Sequence, residues 1–545
     1  MKKNNFWLYF ALFIITIIGG FLRLYKITQN PPSLTGDEIS FGYSAYSILK
    51  TGRDEYGKFM PLVFQSVGDY KNPVPAYLMV PSIKIFGLND FAIRFPNALL
   101  GTISIPIFFF FLLDILKNKR IALLGSIFLS LSAWHIFYSR FSYETLMASL
   151  FVLLGIWGFI KMFNGNLVWA FVSAFFFTLT MYTAFAPRLF IPAFILGVLI
   201  VNIRNVKKNL RNLSVFAFTC LILGLPLLYV TLFQGAGTRL QMVLISNDIE
   251  FSRHILLKYF NSISDLPMLF FFWLKRYISY LNPGLLFFNG LDATQPNPIG
   301  LGVLYIFEIP FFIAGIIEFI KNKIPNKNIF IVWALTGILP DSLTNNQQHA
   351  GRLLHLFPLL IMISAMGAIS IYHQLKKVKI KLVRTIYFLL YSIFILIVLI
   401  HAYLIIWVNF PRDKSESFDE GWREAVQYMI VNQDKYKEIV IDPARGIDGP
   451  NMISNPFLYV LFYTKYDPLT YQDEKKIYSE SSDYYFEFNK YTFRHINWPA
   501  DKNSKETLFI GSPWSLAKEN LNDGELLEII NLTNGSPAFY IVTPK

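Results

Sequence analysis

Charge is scarce in this sequence. Asp, Glu, Lys and Arg supply only 16% of its 545 residues, whereas 54% are hydrophobic. A water-soluble globule could not cover so much apolar surface, and an ordinary soluble domain is excluded. Cysteine is nearly absent too. The single Cys220 lies in an apolar run, so no internal disulfide can form and the redox compartment stays unread. There is no G-x-x-x-x-G-K-[ST] phosphate loop, no H-E-x-x-H and no C-x-x-C. Internal repeats and low-complexity tracts are also missing. Charges do not recur in the middle of the apolar runs, as an ion pathway would ordinarily need.

What remains is long apolar segments, with Phe alone contributing 54 residues. Runs of roughly 17 to 25 apolar residues are long enough to cross about 30 Å of hydrocarbon as helix. Such runs occupy residues 6–23, 92–116, 121–137, 145–162, 167–184, 187–203, 213–232, 299–320, 353–372 and 384–408, and a shorter one occupies 328–341. The expectation is a polytopic α-helical membrane protein of about 11 to 13 spans. Met1-Lys2-Lys3 and the run behind it read as a retained helix, because no small-residue cleavage site follows.

Acidic residues are missing from one set of loops. With the N-terminus placed in the cytoplasm, the even-numbered turns carry Lys117, Lys119, Arg120, Lys161, Arg204, Lys207, Lys208, Arg211, Lys321, Lys323, Lys327, Lys376, Lys377, Lys379, Lys381 and Arg384. Asp37, Glu38, Asp54, Glu55 and Asp69 fall on the opposite side. The net charge of +13 is therefore a sidedness signal, and nucleic acid is not an expected partner. The long loops 24–91 and 233–298 and the tail from 409 are then all extracytoplasmic. The apolar stretch 265–281, broken by Lys275 and Arg276, suits one helix lying in the interface. In the tail, residues 419–433 and 451–463 read as helices. Segments 438–441, 508–511 and 539–542 read as strands, giving a small α/β domain.

Polar residues that carry chemistry concentrate on the extracytoplasmic side. Loop 24–91 holds Gly36-Asp37-Glu38-Ile39 and Asp69-Tyr70-Lys71-Asn72-Pro73-Val74-Pro75. Transfer of a sugar to a hydroxyl needs a base for the acceptor proton and cations for the departing phosphate. Asp37 is a candidate base and Lys71 a candidate phosphate partner, although any long polar loop contains carboxylates and lysines. Arg94 starts a span and reads either as an interfacial anchor or as a tie to the loop. Ser139-Arg140-Phe141-Ser142-Tyr143-Glu144 fills a short turn. Arg140 and Glu144 read as cavity residues, Glu144 as a metal contact without a visible third ligand, or the two as a plain i,i+4 pair. Arg188 follows Ala186-Pro187, and Arg352 closes Asn345-Asn346-Gln347-Gln348-His349-Ala350-Gly351. Each suits phosphate through paired charge-assisted bonds, or anchors a helix at the interface.

Taken in order, these segments resemble the GT-C superfamily of polyprenyl-phosphate-sugar glycosyltransferases, in particular bacterial glycosyltransferase family 39 and the aminoarabinose transferases. Gly36-Asp37-Glu38 resembles the family's first-loop acidic motif. Tyr70-Lys71-Asn72-Pro73-Val74-Pro75-Ala76-Tyr77 is similar to its Lys-Pro-Pro-Leu-Tyr stretch, with Asn72 and Val74 as departures. Phe91-Ala92-Ile93-Arg94-Phe95-Pro96-Asn97-Ala98-Leu99-Leu100-Gly101 resembles its Ala-Arg-x-Pro-Ser-Ala-Leu-x-Gly segment. Arg188 and Arg352-Leu353-Leu354-His355-Leu356-Phe357-Pro358 resemble later basic positions. The resemblance spans about residues 1–410 and implies a transmembrane transferase domain with 24–91 as its catalytic loop. Residues 411–545 would form an extracytoplasmic α/β domain of variable kind.

The resemblance also implies a mechanism. A sugar on a polyprenyl monophosphate arrives from the lipid bilayer. Asp37 deprotonates or orients the acceptor, which inverts the anomeric carbon. Glu38 orients the acceptor or tunes Asp37. Lys71 with Arg352 or Arg188 holds the leaving phosphate, and Asp69, Tyr70, Arg94, Arg140, Glu144 and His349 complete the candidates. No cofactor is implied with certainty, and a divalent metal stays open. Two other classes fit less. A flippase or transporter of lipid-linked sugars leaves the acidic loop unexplained and lacks the usual repeats. A sensor with a partner-binding tail leaves the acidic pair unexplained. The sugar and the acceptor (protein hydroxyl, lipid or cell-envelope glycan) are not readable, though the tail is placed to choose the acceptor.

Overall fold

The structure is a computed structural model that describes residues 3–66, 69–142, 144–233, 266–289, 298, 300–344, 350–445, 451–452, 456–478 and 484–545. The chain forms two compact units. One comprises Met1–Tyr25, Asn72–Val74 and Asn97–Ile406; the other comprises Lys26–Lys71, Pro75–Pro96 and Trp407–Lys545.

The first unit is helical. Its chain begins with α1 (Lys3–Leu24). Helix α2 (Gly36–Thr51) and most of α3 (Pro73–Phe86) belong to the second unit. There follow α4 (Asp90–Leu116), α5 (Lys119–Leu131), α6 (Ala133–Ser139), α7 (Glu144–Phe163), α8 (Leu167–Thr183), α9 (Ala186–Val201), α10 (Ile203–Lys208) and α11 (Leu210–Phe233). Among the described residues, six helices are long and apolar enough to cross a membrane: Asn5–Leu24, α4, α7, α11, Ala350–Leu375 and Lys381–Asp413. Every apolar run read from the sequence falls on a helix or helix pair. Helix α7 is apolar all round and mostly buried, which suits a helix enclosed by others.

Two runs depart in detail. The run 121–137 bends by 57° between α5 and α6, because the Ser132 side chain accepts from His135 N and starts a new helix. The run 299–320 becomes helical at Ile309, after a tight turn that the Glu308 side chain closes on Tyr305 N. The interfacial candidate is a helix, Leu266–Ser279. At about 1.5 Å per residue its 14 residues fall short of a bilayer core. Helices Ile309–Lys321 and Phe357–Leu375 meet backbone to backbone. A Cβ on Gly315 would lie 1.9 Å from Ile363 O, and one on Gly367 would lie 1.8 Å from Phe311 O. Small residues at crossings are how membrane helices gain close packing.

The second unit gathers α2, α3 and the tail around one core. Its seven-stranded sheet has the order β10-β11-β9-β3-β8-β7-β6. The strands are β3 (Glu438–Ile441), β6 (Ile477–Tyr478), β7 (Tyr485–Phe488), β8 (Tyr491–Arg494), β9 (Thr507–Gly511), β10 (Gly524–Asn531) and β11 (Pro537–Pro544). Strand β3 runs parallel to both β8 and β9, and its Ile439, Val440 and Ile441 are fully buried, as expected of a strand covered on both faces. The α/β tail read from the sequence is therefore present, but the helix read over 451–463 begins only at Pro456, because β5 (Asn451–Met452) pairs with β4 (Ala444–Arg445) ahead of it. Ile39, Tyr43, Ala76, Met79 and Ile93 share a core with Trp422, Tyr459, Phe462 and Phe539. Gly42 has no side chain because a Cβ would meet Ile93 Cδ1 at 2.7 Å and Phe462 Cε2 at 2.8 Å. Trp422 is the keystone, stacked on Tyr459 at 5.2 Å between centroids and tilted on Phe539 at 4.7 Å. Trp422→Ala is expected to cost about 3–5 kcal/mol. Protease protection of the detergent-purified chain across a urea series would measure this. A tail as resistant as wild type would refute the assignment.

Candidate functional site

The site in the second unit starts from a helix cap. Thr35 Oγ1 accepts from Glu38 N at 3.3 Å, and Glu38 Oε2 accepts from Thr35 N at 3.0 Å. This reciprocal box fixes the first turn of α2. Two neighbouring carboxylates thereby face different worlds. The Asp37 side chain is 66% exposed, whereas that of Glu38 is 1% exposed. Gly36 N donates to Asp419 Oδ2 at 3.2 Å, and Tyr459 Oη donates to the same oxygen at 2.8 Å. The tail thus holds the start of the helix.

Glu38 is engaged by Arg94. Arg94 Nε donates to Glu38 Oε1 at 2.9 Å and Nη2 to Oε2 at 3.1 Å. Its remaining donors reach Ile27 O at 2.9 Å, Pro31 O at 2.8 Å and Ser33 O. All five guanidinium N–H groups are used, with the residue fully buried. Arg94 is therefore a tie and not an interfacial anchor.

Lys71 closes a short hairpin of β1 (Phe64–Ser66) and β2 (Asp69–Lys71), opposite Phe64. Its Nζ lies 3.1 Å from Asp37 Oδ1 and 5.2 Å from the centre of the Phe41 ring. Asp37, Phe41 and Ser44 share one face of α2 at i, i+4 and i+7. Ser44 Oγ donates to Glu55 Oε1 at 2.9 Å, while Glu55 Oε2 is buried without a hydrogen-bond partner. Burial pushes the Glu55 carboxyl up to about 7. The Asp54 charge adds to the rise, and a backbone hydrogen bond, Ser44 and the Lys71 charge oppose it. Tyr70 sits half-buried in β2 opposite Gln65. Asp69 pairs with Ser66 through its backbone, and its side chain lies outside the described residues, as does the whole of His349.

The remaining candidates belong to the first unit. Arg188 Nη2 donates to Asn72 Oδ1 at 2.7 Å, and Asn72 Nδ2 lies 3.3 and 3.2 Å from the two oxygens of Glu144. Arg188 also donates to Met181 O at 3.1 Å and stacks 4.4 Å from the Phe185 ring centre. Asn72, the departure from the Lys-Pro-Pro pattern, is thus a buried amide bridging a cation and an anion, using both halves of its side chain. Arg352 is held elsewhere, by Asp341 Oδ1 at 3.1 Å and Thr344 Oγ1 at 2.7 Å. Arg140 is fully buried and donates to the carbonyl of Leu22 at 2.9 Å, near the end of α1. Among the described residues no three His, Cys, Asp or Glu side chains are grouped as a metal site. Sequence reading missed Asp419 and Tyr459, which carry no local signal. It used Asp54 and Glu55 only for sidedness. The Thr35-x-x-Glu38 box was available as a helix-start signature.

Two expectations follow. Arg94→Ala leaves the Glu38 charge buried and is expected to destabilise the second unit by about 3–5 kcal/mol. Glu38→Gln with Arg94→Met is expected to recover part of that loss, as read by the same urea series; a double variant no better than Arg94→Ala would refute the pairing. For Glu55, the unfolded carboxyl titrates near 4.5 and the folded one near 7. Its stabilising contribution is therefore full below pH 4.5 and is lost as pH rises through 7. The difference amounts to roughly 3 kcal/mol. Glu55→Gln should remove this slope, so the variant gains on wild type at pH 8 and not at pH 4.5. Parallel melting curves at the two pH values would contradict it.

A sequence family described as dolichyl-phosphate-mannose-protein mannosyltransferase matches residues 13–238. No curated relative matches the chain. Among solved structures, ArnT from Cupriavidus metallidurans in the apo state is 11% identical, with a TM-score of 0.57 over 99% of this chain and 98% of that one. The same protein bound to undecaprenyl phosphate is 11% identical, with a TM-score of 0.53 over 97% of each chain. The oligosaccharyltransferase AglB from Archaeoglobus fulgidus, in complex with an inhibitory peptide and a dolichol-phosphate, is 12% identical. It has a TM-score of 0.51 over 85% of this chain and 64% of that one. Residues 13–238 thus resemble that mannosyltransferase family, and the chain has the GT-C fold of ArnT along nearly its whole length, with six helices among the described residues long and apolar enough to cross a membrane.

Proposed function

We propose that this glycosyltransferase moves a sugar from a polyprenyl-phosphate donor to a hydroxyl acceptor on the extracytoplasmic side, with Asp37 as general base and Lys71 as phosphate partner. The observation that carries the reading is their 3.1 Å pair: an exposed carboxylate held against an almost buried ammonium. The family match over residues 13–238 supports the donor class. ArnT has been captured with undecaprenyl phosphate and AglB with dolichol-phosphate, both polyprenyl phosphates.

The chemistry uses few groups. The acceptor oxygen attacks the anomeric carbon opposite the phosphate, and its proton passes to an Asp37 oxygen. The bond from the anomeric carbon to the phosphate oxygen breaks, and the electron pair leaves with the polyprenyl phosphate. Configuration inverts. Lys71 has three N–H donors and spends one on Asp37, which leaves two for the growing charge on the leaving oxygen. Glu38 acts through Thr35 and Arg94 and is a positioning residue rather than a substrate contact. Arg188 and Arg352 are further phosphate candidates, each to be assayed by its own change to Lys. The N-terminus is assigned to the cytoplasm and the tail to the opposite side, from the placement of Lys and Arg.

The assay is release of free polyprenyl phosphate from a panel of polyprenyl-phosphate sugars by the purified full chain. Asp37→Asn is expected to lower kcat at least about 100-fold with little change in KM. Lys71→Met should lower kcat/KM by about 100- to 1,000-fold. Wild-type release that persists in Asp37→Asn would move the base elsewhere. No release with any donor and plausible acceptors would sink the donor class.

A further inference from the structure

The tail holds a second cluster of polar side chains that the transfer chemistry does not use. Strand β3 lies between β8 and β9, parallel to both. After β3 the chain passes through the helices Pro456–Tyr463 and Pro468–Asp473 and through β6 and β7 to reach β8. It then crosses back to β9, on the other flank of β3. In open α/β sheets the crevice beyond the carboxyl ends of strands, where the order reverses, is where ligands sit. The first residues beyond these three strands are His495, Asp442 and Ser512. Ile441 is in register with Phe493 and Ile510, so all three side chains lie at the same edge of the sheet. The two flanking loops meet there. A Cβ on Gly511 would lie 3.0 Å from both Ile496 Cδ1 and Leu516 Cδ1.

The polar groups are held in order. Asp442 is buried and accepts from Ala444 N at 2.7 Å and Ile496 N at 2.8 Å. A carboxylate has only acceptors, so His495 Nδ1, 3.2 Å from Asp442 Oδ1, must donate to it. That fixes the ring and turns Nε2 away from the carboxylate, on a side chain that is 46% exposed. Ser512 Oγ lies 3.3 Å from Ser515 Oγ. Between these serines in the sequence lies Trp514, 55% exposed. The nearby cation is committed: Arg494 donates to both oxygens of Asp501, at 3.0 and 2.8 Å. An oriented imidazole with an outward Nε2 and an exposed indole in the neighbouring loop, beside an arginine already spent on Asp501, suit a neutral ligand with hydroxyl groups and an apolar face.

We propose that this edge of the tail binds neutral carbohydrate, the glycan portion of the acceptor, which rests on the transferase reading above. The test uses the full chain in detergent and saturation-transfer NMR against neutral trisaccharides of mannose, galactose, glucose and N-acetylglucosamine. At least one is expected to show transfer, reduced five-fold or more by both His495→Ala and Trp514→Ala, with Asp37-dependent release of polyprenyl phosphate retained. No transfer from any trisaccharide, or transfer unchanged in both variants, overturns the proposal. So does displacement of the sugar by millimolar inorganic phosphate, which would make the edge an anion site. Wild-type chain that binds sugar here but releases no polyprenyl phosphate refutes the transferase reading, and with it the word acceptor, while the carbohydrate site stands.

Discussion

A single buried guanidinium organises the end of the second unit that carries the candidate site. Arg94 gathers Ile27, Pro31, Ser33 and Glu38 through five donors. Glu38 completes the cap of α2, so the direction of that helix and the exposure of Asp37 depend on one charge pair. Taking both ions out of water is costly, and the pair is not a gain in stability for its own sake. What it supplies is uniqueness. Neither ion can leave without stranding the other, so the loop has one arrangement in which Asp37 meets Lys71.

The adjacent carboxylates also escape a conflict that the sequence suggests. Side by side, Asp37 and Glu38 would oppose each other's ionisation. Arg94 compensates Glu38 inside, and Lys71 faces Asp37 outside. One step along a helix turns neighbours by about 100°, enough to send one into the core and leave the other in solvent. A third carboxyl, Glu55, accepts from Ser44 instead of a cation, and burial pushes it up to about 7.

Much of this was legible in the sequence because it is written in local pattern. Apolar length is a local signal, so the eleven runs, the helix at 266–279 and three strands of the tail could be read directly, whereas β6, β7, β8 and β10 were not. The acidic pair and Lys71 stood out by type and sidedness. Arg94 could not be settled, since an arginine at the head of a span reads equally as anchor or as tie until its surroundings are seen. Asp419 and Tyr459 could not be found at all. They meet the start of α2 across 383 and 425 residues, and nothing near them announces it. Asn72 was visible only as a broken motif. Its role as a bridge between Arg188 and Glu144 needs three distant segments in one place.

The glycine contacts in the first unit bear on how that unit can change shape. Where Gly315 and Gly367 let two backbones touch, helices Ile309–Lys321 and Phe357–Leu375 have no intervening side chains to repack. Sliding one past the other would drive Cα atoms into carbonyl oxygens, so the two move as one rod. Helices such as α1 and α11, mostly exposed along their lengths, carry no such weld. Any opening of the first unit to admit a lipid-sized guest therefore falls to the periphery, while the welded pair keeps its place as the fixed frame.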